Sequence, residues 1–173
     1  MSIQDSAGTM QRADVMEMQI KRADPGDPGE LFQALSELDC LCVGAEGWSA
    51  ASFESEAAKD NGIVLYTSEQ SRIVGLVSGY YAVGEGDITS VAVHPEFRRQ
   101  GIAQRLIREF EAFLPNDTED IFLEVRQSNA PAIALYEKCG FEAVSIRKNF
   151  YNAPKENAVV MKKSMATSKK LFG

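Results

Sequence analysis

Residues 91–103 read VAVHPEFRRQGIA, and this stretch is more informative about the fold than any other part of the chain. The apolar run 91–93 predicts a strand that ends at His94-Pro95, and an amphipathic helix is predicted to open after the polar turn, at Gly101. A helix N-terminus presents unpaired backbone N–H groups and the positive end of the helix dipole. Because a glycine lets a ligand approach the backbone closely there, the turn is predicted to bind phosphate or pyrophosphate.

The residues after this turn predict a second strand and a second helix. Ile121 to Val125 are almost wholly apolar, as in a strand covered on both faces, and Glu124 is the one carboxylate among them. Ser128 to Gly140 predict a helix with caps at both ends, and Asn129 is its candidate N-cap. The stretch therefore predicts strand, anion-binding turn, helix, strand and helix.

Signals on either side predict the other elements of an α+β fold with one mixed sheet. Upstream these are a strand from Met18 to Ala23, a helix from about Pro28 to before Gly44, a helix from Trp48 to Ala58 capped by Ser49 or Ser52, and antiparallel strands at 63–66 and 73–81. Directly before the central stretch, a turn at 84–87 is predicted to lead into a strand at 88–93. Downstream, strands at 141–146 and 159–162 are predicted to pair across a loop holding residues 149–157.

The length and composition favour one domain, predicted to span residues 18–164. The chain has 173 residues, of which 45% are hydrophobic and 25% charged, as in ordinary globular proteins. Residues 1–17 lack apolar periodicity and are predicted to be a flexible extension, and residues 165–173 a frayed tail. Since no apolar run is long enough to cross a bilayer and no secretory pattern opens the chain, we expect a cytoplasmic protein.

The charge balance limits the classes of molecule that the protein is expected to bind. With 25 acidic and 18 basic residues the net charge is -7, which argues against nucleic-acid binding and favours a cationic substrate. Three cysteines and a single histidine make no plausible zinc cluster, so we expect no metal. Arg98 and Arg99 stand out locally because they flank the predicted phosphate turn, although neighbouring arginines are also typical of solvated loops.

Residues 98–103, RRQGIA, resemble the acetyl-CoA signature of the GNAT superfamily of N-acetyltransferases: Arg or Gln, two residues, Gly, one residue, then Gly or Ala. Further motifs follow in the order of the family: LEVR at 123–126, SNA at 128–130, ALYEK at 134–138, GF at 140–141 and RKNFY at 147–151. Together they resemble the RimI-type branch, the ribosomal-protein-alanine N-acetyltransferases. The resemblance implies the GNAT fold: a mixed, mostly antiparallel sheet with helices on both faces and parallel strands that splay at the cofactor site.

The resemblance also implies how acetyl-CoA, the co-substrate, is bound. The strand before the turn would pair with the pantetheine arm, and the turn amides would hold the pyrophosphate. Asn129 would hydrogen-bond the arm, alone or together with its role as a helix cap. The implied cofactor-binding residues are Val91, Ala92, Val93, Arg98, Arg99, Gln100, Gly101, Ile102, Ala103, Gln104, Asn129 and Tyr136.

Attack of a neutral amine on a thioester needs a proton acceptor, charge stabilisation at the carbonyl oxygen and a proton for the leaving thiolate. By the resemblance, Glu124 is the base, the Val93 backbone N–H stabilises the oxygen, and Tyr136 is the acid, with an unperturbed pKa of about 10. The alternatives are that Glu124 is a solvated carboxylate paired with Arg126, and that Tyr136 is a core aromatic. His94, before a proline, is interpreted as structural.

We therefore predict direct acetyl transfer from acetyl-CoA to the α-amine of a protein N-terminus, of the ribosomal-protein-alanine type. Glu124, Asn149 and Tyr151 are expected to bind the acceptor. The alternatives are a lysine or small-amine N-acetyltransferase, and an acyl-CoA-binding sensor without catalysis. The predicted partner is a protein N-terminus, such as that of a ribosomal protein, with no direct nucleic-acid or membrane contact.

Overall fold

Helices and strands follow one another in the predicted order over residues 18–165, the part of the chain that the computed structural model describes. In chain order they are β1 (Ile20–Arg22), α1 (Gly29–Val43), α2 (Ala50–Ala57), β2 (Gly62–Glu69), β3 (Arg72–Ala82), β4 (Glu85–Val93), α3 (Ile102–Phe113), β5 (Asp120–Arg126), α4 (Ala130–Lys138), β6 (Glu142–Asn152) and β7 (Lys155–Ser164). Single turns of 3-10 helix cover Gly44–Glu46 and Pro95–Phe97.

The strands form one seven-stranded sheet in the order β1-β2-β3-β4-β5-β7-β6. Neighbouring strands are antiparallel except β4 and β5, which run parallel. That parallel pairing joins residues 85–88 of β4 to residues 120–123 of β5 and goes no further. The predicted α+β fold, with a mixed, mostly antiparallel sheet and parallel strands that splay, is confirmed.

Helices cover both faces of the sheet, as predicted. On one face the buried side of α3, with Leu106 and Phe110, packs with Tyr136 of α4 against Ile121 and Leu123 of β5. Because both elements face the same core, apolar residues recur at the helical period in α3 and at every second residue in β5. On the other face, the buried residues of α1 and α2 and of the strands below them are Phe32, Leu35, Leu38, Phe53, Ala57, Val64, Leu76 and Ala92.

Local chemistry accounts for the helix ends. α1 begins after Pro28 and ends at Gly44, whose φ of 73° is a left-handed conformation that glycine adopts readily. Of the two serines considered for α2, Ser49 is the cap, because its side-chain oxygen accepts the N–H of Ser52 at 3.1 Å.

The predicted turn at residues 84–87 is wrong in extent. β4 already begins at Glu85, and Gly86 and Asp87 are paired on both sides, with β3 and with β5. Two neighbouring strands hold these residues extended, so pairing overrides the turn preference of the glycine.

The prediction that both faces of β5 are covered is also wrong. Ile121, Leu123 and Val125 are buried, whereas Phe122 and Glu124 lie on a half-exposed face. The core under α1 and α2 reaches β4 through Ala92 but includes no β5 residue among those described. One face of β5 is therefore partly open.

The hairpin of β6 and β7 is longer than predicted. Its strands meet at residues 153–154, where the Ala153–Pro154 peptide bond is cis, so most of the predicted loop 149–157 belongs to the strands. Asn149 lies inside β6, in a bulge between Arg147 and Tyr151 where the pairing register shifts.

No helix within residues 18–165 is long and apolar enough to cross a membrane. The predicted flexible extension, residues 1–17, and the tail from residue 166 onward lie outside the described part of the chain.

Candidate functional site

The sheet opens where β4 and β5 separate. Their last paired residues are Ile88 and Leu123, after which β4 continues to Val93 without a β5 partner. Val91 and Val93 are half-buried at this opening, while Ala92 is buried on the other face. An unpaired strand edge offers backbone N–H and C=O groups, so a ligand that carries amides can pair with it.

The N-terminus of α3 lies after this strand and is open. Gly101 has a φ of 85°, and a β-carbon placed there would meet no heavy atom within 4 Å. The first backbone bond of the helix runs from the Arg105 N–H to the Gly101 carbonyl at 3.1 Å. The N–H groups of residues 102–104 therefore have no partner within the helix.

Gln100 adds an unpaired polar group beside this helix end. Its side-chain oxygen is buried and has no hydrogen-bond partner among the described residues. A buried polar atom left in this way is unusual and calls for a ligand or water. The open glycine, the free amides and this side chain fit a phosphate-bearing cofactor at residues 100–104.

Arg98 and Arg99 behave differently from each other. The Arg98 Nε donates to the Val93 carbonyl at 3.0 Å, and its Nη2 lies 3.6 Å from the sulfur of Cys42. Arg98 thus ties the turn to the end of β4. Arg99 is exposed, with a φ of 61°.

His94 is held at both ring nitrogens. Its Nδ1 accepts the N–H of Glu96 at 3.3 Å, and its Nε2 lies 2.6 Å from Nη2 of Arg72. This arrangement agrees with the structural interpretation of His94 at the end of a strand.

Asn129 and Tyr136 are positioned by α4. The side-chain oxygen of Asn129 accepts the N–H of Ala132 at 3.2 Å, so Asn129 does cap the helix. Tyr136 is 8% exposed, and its ring meets Phe141 edge to face with 6.1 Å between centroids. Burial raises the pKa of Tyr136 well above its ordinary value, and the neighbouring Tyr151 acts in the same direction. The expectation of an unperturbed tyrosine is therefore wrong.

Glu124 stands on the half-exposed face of β5. Its Oε1 accepts a hydrogen bond from Arg147 at 2.7 Å. The alternative pairing with Arg126 is wrong, since Arg126 binds Glu46 and Glu156 instead. Because the Arg147 side chain is 56% exposed, its pairing with Glu124 is a weak surface ion pair.

Asp87 is a site residue that the sequence analysis missed. It lies opposite Phe122 of β5 in the parallel register. Since Phe122 is two residues before Glu124, Asp87 and Glu124 lie on the same face of the sheet. Burial raises the pKa of Asp87 to about 6, and the negative charges of Glu124 and Glu85 act in the same direction. Asp87 in turn raises the pKa of Tyr80, which faces it from β3. Only strand register brings these groups together, so the sequence carried no local signal for them.

Tyr151 lies beside the acidic side chains around Glu124, whereas Asn149 makes different contacts. Burial raises the pKa of Tyr151 to about 12, with Glu124 as the next cause. The Arg126 guanidinium lies 4.2 Å from the centre of the Tyr151 ring. Asn149 is exposed, has a φ of 54°, and donates its backbone N–H to the side-chain oxygen of Asn157 at 3.0 Å. The structure thus brings Glu124, Tyr136 and Tyr151 together, but it does not place the Asn149 side chain with them.

The two halves of the site have opposite chemistry. An open helix N-terminus that suits phosphate lies at one end of the splay, and an acidic, partly buried group around Glu124 and Asp87 lies near the other. The first is suited to binding an anion through the backbone, and the second to attracting a cation such as an ammonium group. Such a pair is suited to transfer between a phosphate-bearing cofactor and an amine.

This fold, with an anion-binding turn opposed to an acidic cluster, is that of an acetyltransferase. The chain belongs to the acetyltransferase (GNAT) family, whose model matches residues 32–141.

Relatives of known name are N-acetyltransferases. The N-alpha-acetyltransferase of Saccharolobus solfataricus is 47% identical over 81 residues, which are 46% of this chain and 48% of that protein. The chain thus spans about half the length of that relative. The N-alpha-acetyltransferase RimI of Mycobacterium tuberculosis is 30% identical over 137 residues, 76% of this chain and 85% of that protein. These similarities in sequence confirm the resemblance to the RimI-type branch.

Solved structures agree. The ribosomal-protein-S18-alanine N-acetyltransferase of Escherichia coli superposes with a TM-score of 0.73 and 26% identity, over 86% of this chain and 94% of that one. A GNAT family acetyltransferase of Elizabethkingia anophelis with acetyl-CoA bound has a TM-score of 0.67 over 86% of this chain and 98% of that one. At 18% identity the second likeness concerns the fold alone.

Proposed function

We propose that this protein acetylates the α-amine of a protein N-terminus with acetyl-CoA, by direct transfer in which both substrates are bound together. The observation that carries the proposal is the placement of an open helix N-terminus and a carboxylate, Glu124, at one splay between parallel strands. The kinship with proteins named N-alpha-acetyltransferases supports the same acceptor.

The cofactor role rests on the backbone around α3. The amides of residues 100–104 bind the pyrophosphate, and the free edge of β4 at residues 91–93 pairs with the pantetheine arm. Asn129 caps α4 with its oxygen and keeps its NH2 group for the same arm. When bound, acetyl-CoA supplies the activated acetyl group, and we propose no metal ion in the reaction.

Two side chains of this chain move the protons. Glu124 takes a proton from the attacking amine, directly or through water, as the new carbon–nitrogen bond forms at the acetyl carbon. Tyr136 gives its phenolic proton to the thiolate that leaves when the carbon–sulfur bond breaks. The backbone N–H of Val93 stabilises the carbonyl oxygen between these events. Its raised pKa keeps the phenolic proton on Tyr136 at neutral pH, and it also makes Tyr136 a weaker acid than an exposed tyrosine.

The α-amine is the preferred acceptor because it is the weaker base. Its pKa lies about 2.5 units below that of lysine, so neutralising it at pH 7 costs roughly 3.5 kcal/mol less. Asp87, Glu124 and Tyr151 provide an acidic and aromatic setting for an incoming ammonium group. An N-terminus of the ribosomal-protein-alanine type is the proposed partner, and the cytoplasm stays the predicted location.

The test is thiol release from acetyl-CoA over a panel of amines. The panel contains peptides that begin with Ala, Ser, Met or Gly, N-terminally blocked lysine peptides, and polyamines. We expect the highest kcat/KM with a free N-terminus. Faster turnover of a blocked lysine peptide than of its unblocked counterpart would overturn the acceptor assignment, and binding of acetyl-CoA without any thiol release above hydrolysis would indicate a sensor.

A further inference from the structure

The two edge strands of the sheet, β1 and β6, differ greatly in length. β1 has three residues, a length that offers little to a further strand, whereas β6 has eleven. Residues 142–150 of β6 are all exposed, although β7 pairs with the strand on one side. A long exposed edge of this kind presents unpaired backbone N–H and C=O groups with which another strand can pair.

An apolar row of the core ends at this edge. Val125 of β5, Val159 of β7 and Ile146 of β6 lie side by side across the sheet. The exposed fraction rises from 5% for Val125 and 9% for Val159 to 52% for Ile146, because β6 is the last strand. Val144, two residues before Ile146, is 50% exposed. Apolar side chains in this position mark an edge that a further strand would cover.

The side chains along β6 complement a second copy of the same strand. β6 begins with the sequence EAVSIRK, and two such stretches can pair antiparallel about a two-fold axis at Ser145. Glu142 of one copy then faces Lys148 of the other. Val144 faces Ile146 in the same way, and each contact occurs twice. An unrelated partner would not require this self-complementarity, so a second copy is the occupant that the sequence of the edge favours.

The charges needed for this pairing are available. Within residues 18–165 neither Glu142 nor Lys148 takes part in an ion pair or a side-chain hydrogen bond, and both are exposed. Arg147, by contrast, is already paired with Glu124 inside the chain. The register that joins Glu142 to Lys148 therefore uses the free charges and leaves the ion pair of Arg147 in place.

Two irregularities of β6 limit the length of such an interface. Its register with β7 shifts between Ala143 and Ser145, and again between Arg147 and Tyr151. Shifts of this kind bend a strand and restrict how far another strand can follow its edge. The paired stretch is therefore short, and the contact should be weaker than an interface of the standard size of about 1,600 Å².

We propose that two copies of this protein associate through the edges of β6, antiparallel and centred on Ser145, so that their sheets join into one. The interface is isologous, since the same residues of both copies meet. It lies at the edge of the sheet, whereas Glu124 lies on β5, with β7 between β5 and β6. The inference therefore does not rest on the proposed function.

Sedimentation equilibrium of the full chain tests the association. For a short strand pair we expect a dimer with a dissociation constant on the order of 10⁻⁵ M. Ile146→Lys places a charge opposite Val144 at two positions and should raise that constant by at least about tenfold. Val83→Lys is the control, because Val83 is a fully exposed valine in the turn between β3 and β4, and it should leave the constant unchanged.

A charge exchange tests the register. Lys148→Glu sets like charges opposite each other at both ends of the paired stretch and should weaken the dimer by about tenfold. The double variant Glu142→Lys, Lys148→Glu restores opposite charges there, so its dissociation constant should return to within about threefold of the wild-type value. Hydrogen exchange across residues 142–148 should slow with rising protein concentration in the wild type and the double variant, but much less in Lys148→Glu. Since the substituted side chains are exposed, melting temperatures should stay near that of the wild type.

A wild-type protein that stays monomeric at about 200 µM overturns the proposal, and the edge of β6 is then left to a strand of another protein. A dimer of equal strength in Ile146→Lys overturns its assignment to β6. A dimer that Lys148→Glu weakens and the double variant does not recover overturns the register at Ser145. Thiol release from acetyl-CoA is measured separately, and its absence would contradict the proposed function without bearing on the dimer.

Discussion

The cofactor end and the acceptor end of the site are built in contrasting ways. The cofactor end that we propose, residues 98–104, is one continuous turn and helix start, and its main groups are backbone amides around Gly101. The acceptor end that we propose draws Asp87, Glu124 and Tyr151 from three strands. A backbone-built site depends on local conformation, whereas a side-chain site depends on register and packing.

The contrast indicates which residues can vary at each end of the site. A pyrophosphate is bound by backbone N–H groups, which every residue type except proline carries. The identity of the residue therefore matters only at the glycine. An acceptor amine is recognised by side chains whose charges influence one another, so a change in one carboxylate alters the pKa of the next. Substitutions at the cofactor end should therefore weaken acetyl-CoA binding, and substitutions at the acceptor end should impair reaction with the amine while leaving acetyl-CoA binding intact.

The largest expected effect is at the cofactor end. Gly101→Glu places a negatively charged side chain in the open space before α3, where the phosphates are proposed to bind. Acetyl-CoA affinity should fall by more than about 100-fold, since both the steric access and the favourable helix-end charge are lost. Calorimetric titration with acetyl-CoA measures this.

The matched control for Gly101→Glu is Gly84→Glu. Gly84 also has a positive φ, 80°, and a β-carbon there would meet only the Asp117 carbonyl at 3.7 Å. Both variants carry a similar backbone strain, on the order of 1 kcal/mol. Equal affinity for acetyl-CoA in the two folded variants would contradict the phosphate-turn assignment.

Glu124→Gln should disable the acceptor end and leave the cofactor end intact. Glutamine keeps the shape but cannot take the proton, so kcat should fall about 10²- to 10⁴-fold, the range of a positioned base. Steady-state kinetics with saturating peptide and the dissociation constant of acetyl-CoA together test this. If kcat is retained and only the KM of the peptide rises, Glu124 orients the acceptor and another group is the base.

Tyr136→Phe probes the junction of the two ends. The ring still packs against Phe141, so the melting temperature should stay near that of the wild type. If Tyr136 is the acid, kcat should fall by about 10²-fold, at the lower end of the range for such catalysis because a raised pKa weakens the acid. Tyr66→Phe removes a hydroxyl from another tyrosine and serves as the control. Full kcat in Tyr136→Phe, with chemistry shown to limit turnover, would make this tyrosine structural.

The smallest expected effect concerns stability at the acceptor end. The pKa of Asp87 is raised to about 6 in the folded protein, above the value of 3.8 for a free side chain. The folded state therefore binds the proton more tightly than the unfolded state, and stability falls as the pH rises from about 4 to 6. Asp87→Asn removes this penalty and should be more stable at pH 7, by about 1 kcal/mol once solvent screening is allowed for.

Thermal unfolding of Asp87→Asn and wild type across pH 4 to 7 measures the difference. The melting temperature of the variant should exceed that of the wild type by about 2–4 °C at pH 7, and the gap should close toward pH 4. A constant gap at every pH would show that the carboxylate charge is not its cause.

Much of the fold was readable because each element carries its own pattern. The amphipathic period of α3, the glycine at its start and the cap at Ser49 are local features, and the structure has all three. The errors lie where tertiary pairing overrides local preference: Gly86 is extended between two strands, and Asn149 lies in a strand rather than a loop.

Contiguous motifs and the family resemblance they carry were enough to predict the order of elements, the phosphate turn at residues 98–104 and the candidate roles of Glu124 and Tyr136, because such motifs need no distant partner. Three features are visible only in the folded chain: Arg147 rather than Arg126 pairs with Glu124, Asp87 lies on the same face as Glu124, and Glu46 accepts hydrogen bonds from the β6–β7 turn. These contacts depend on strand register and on which helix covers which strand. Such relations join residues far apart in the chain, so no local pattern records them.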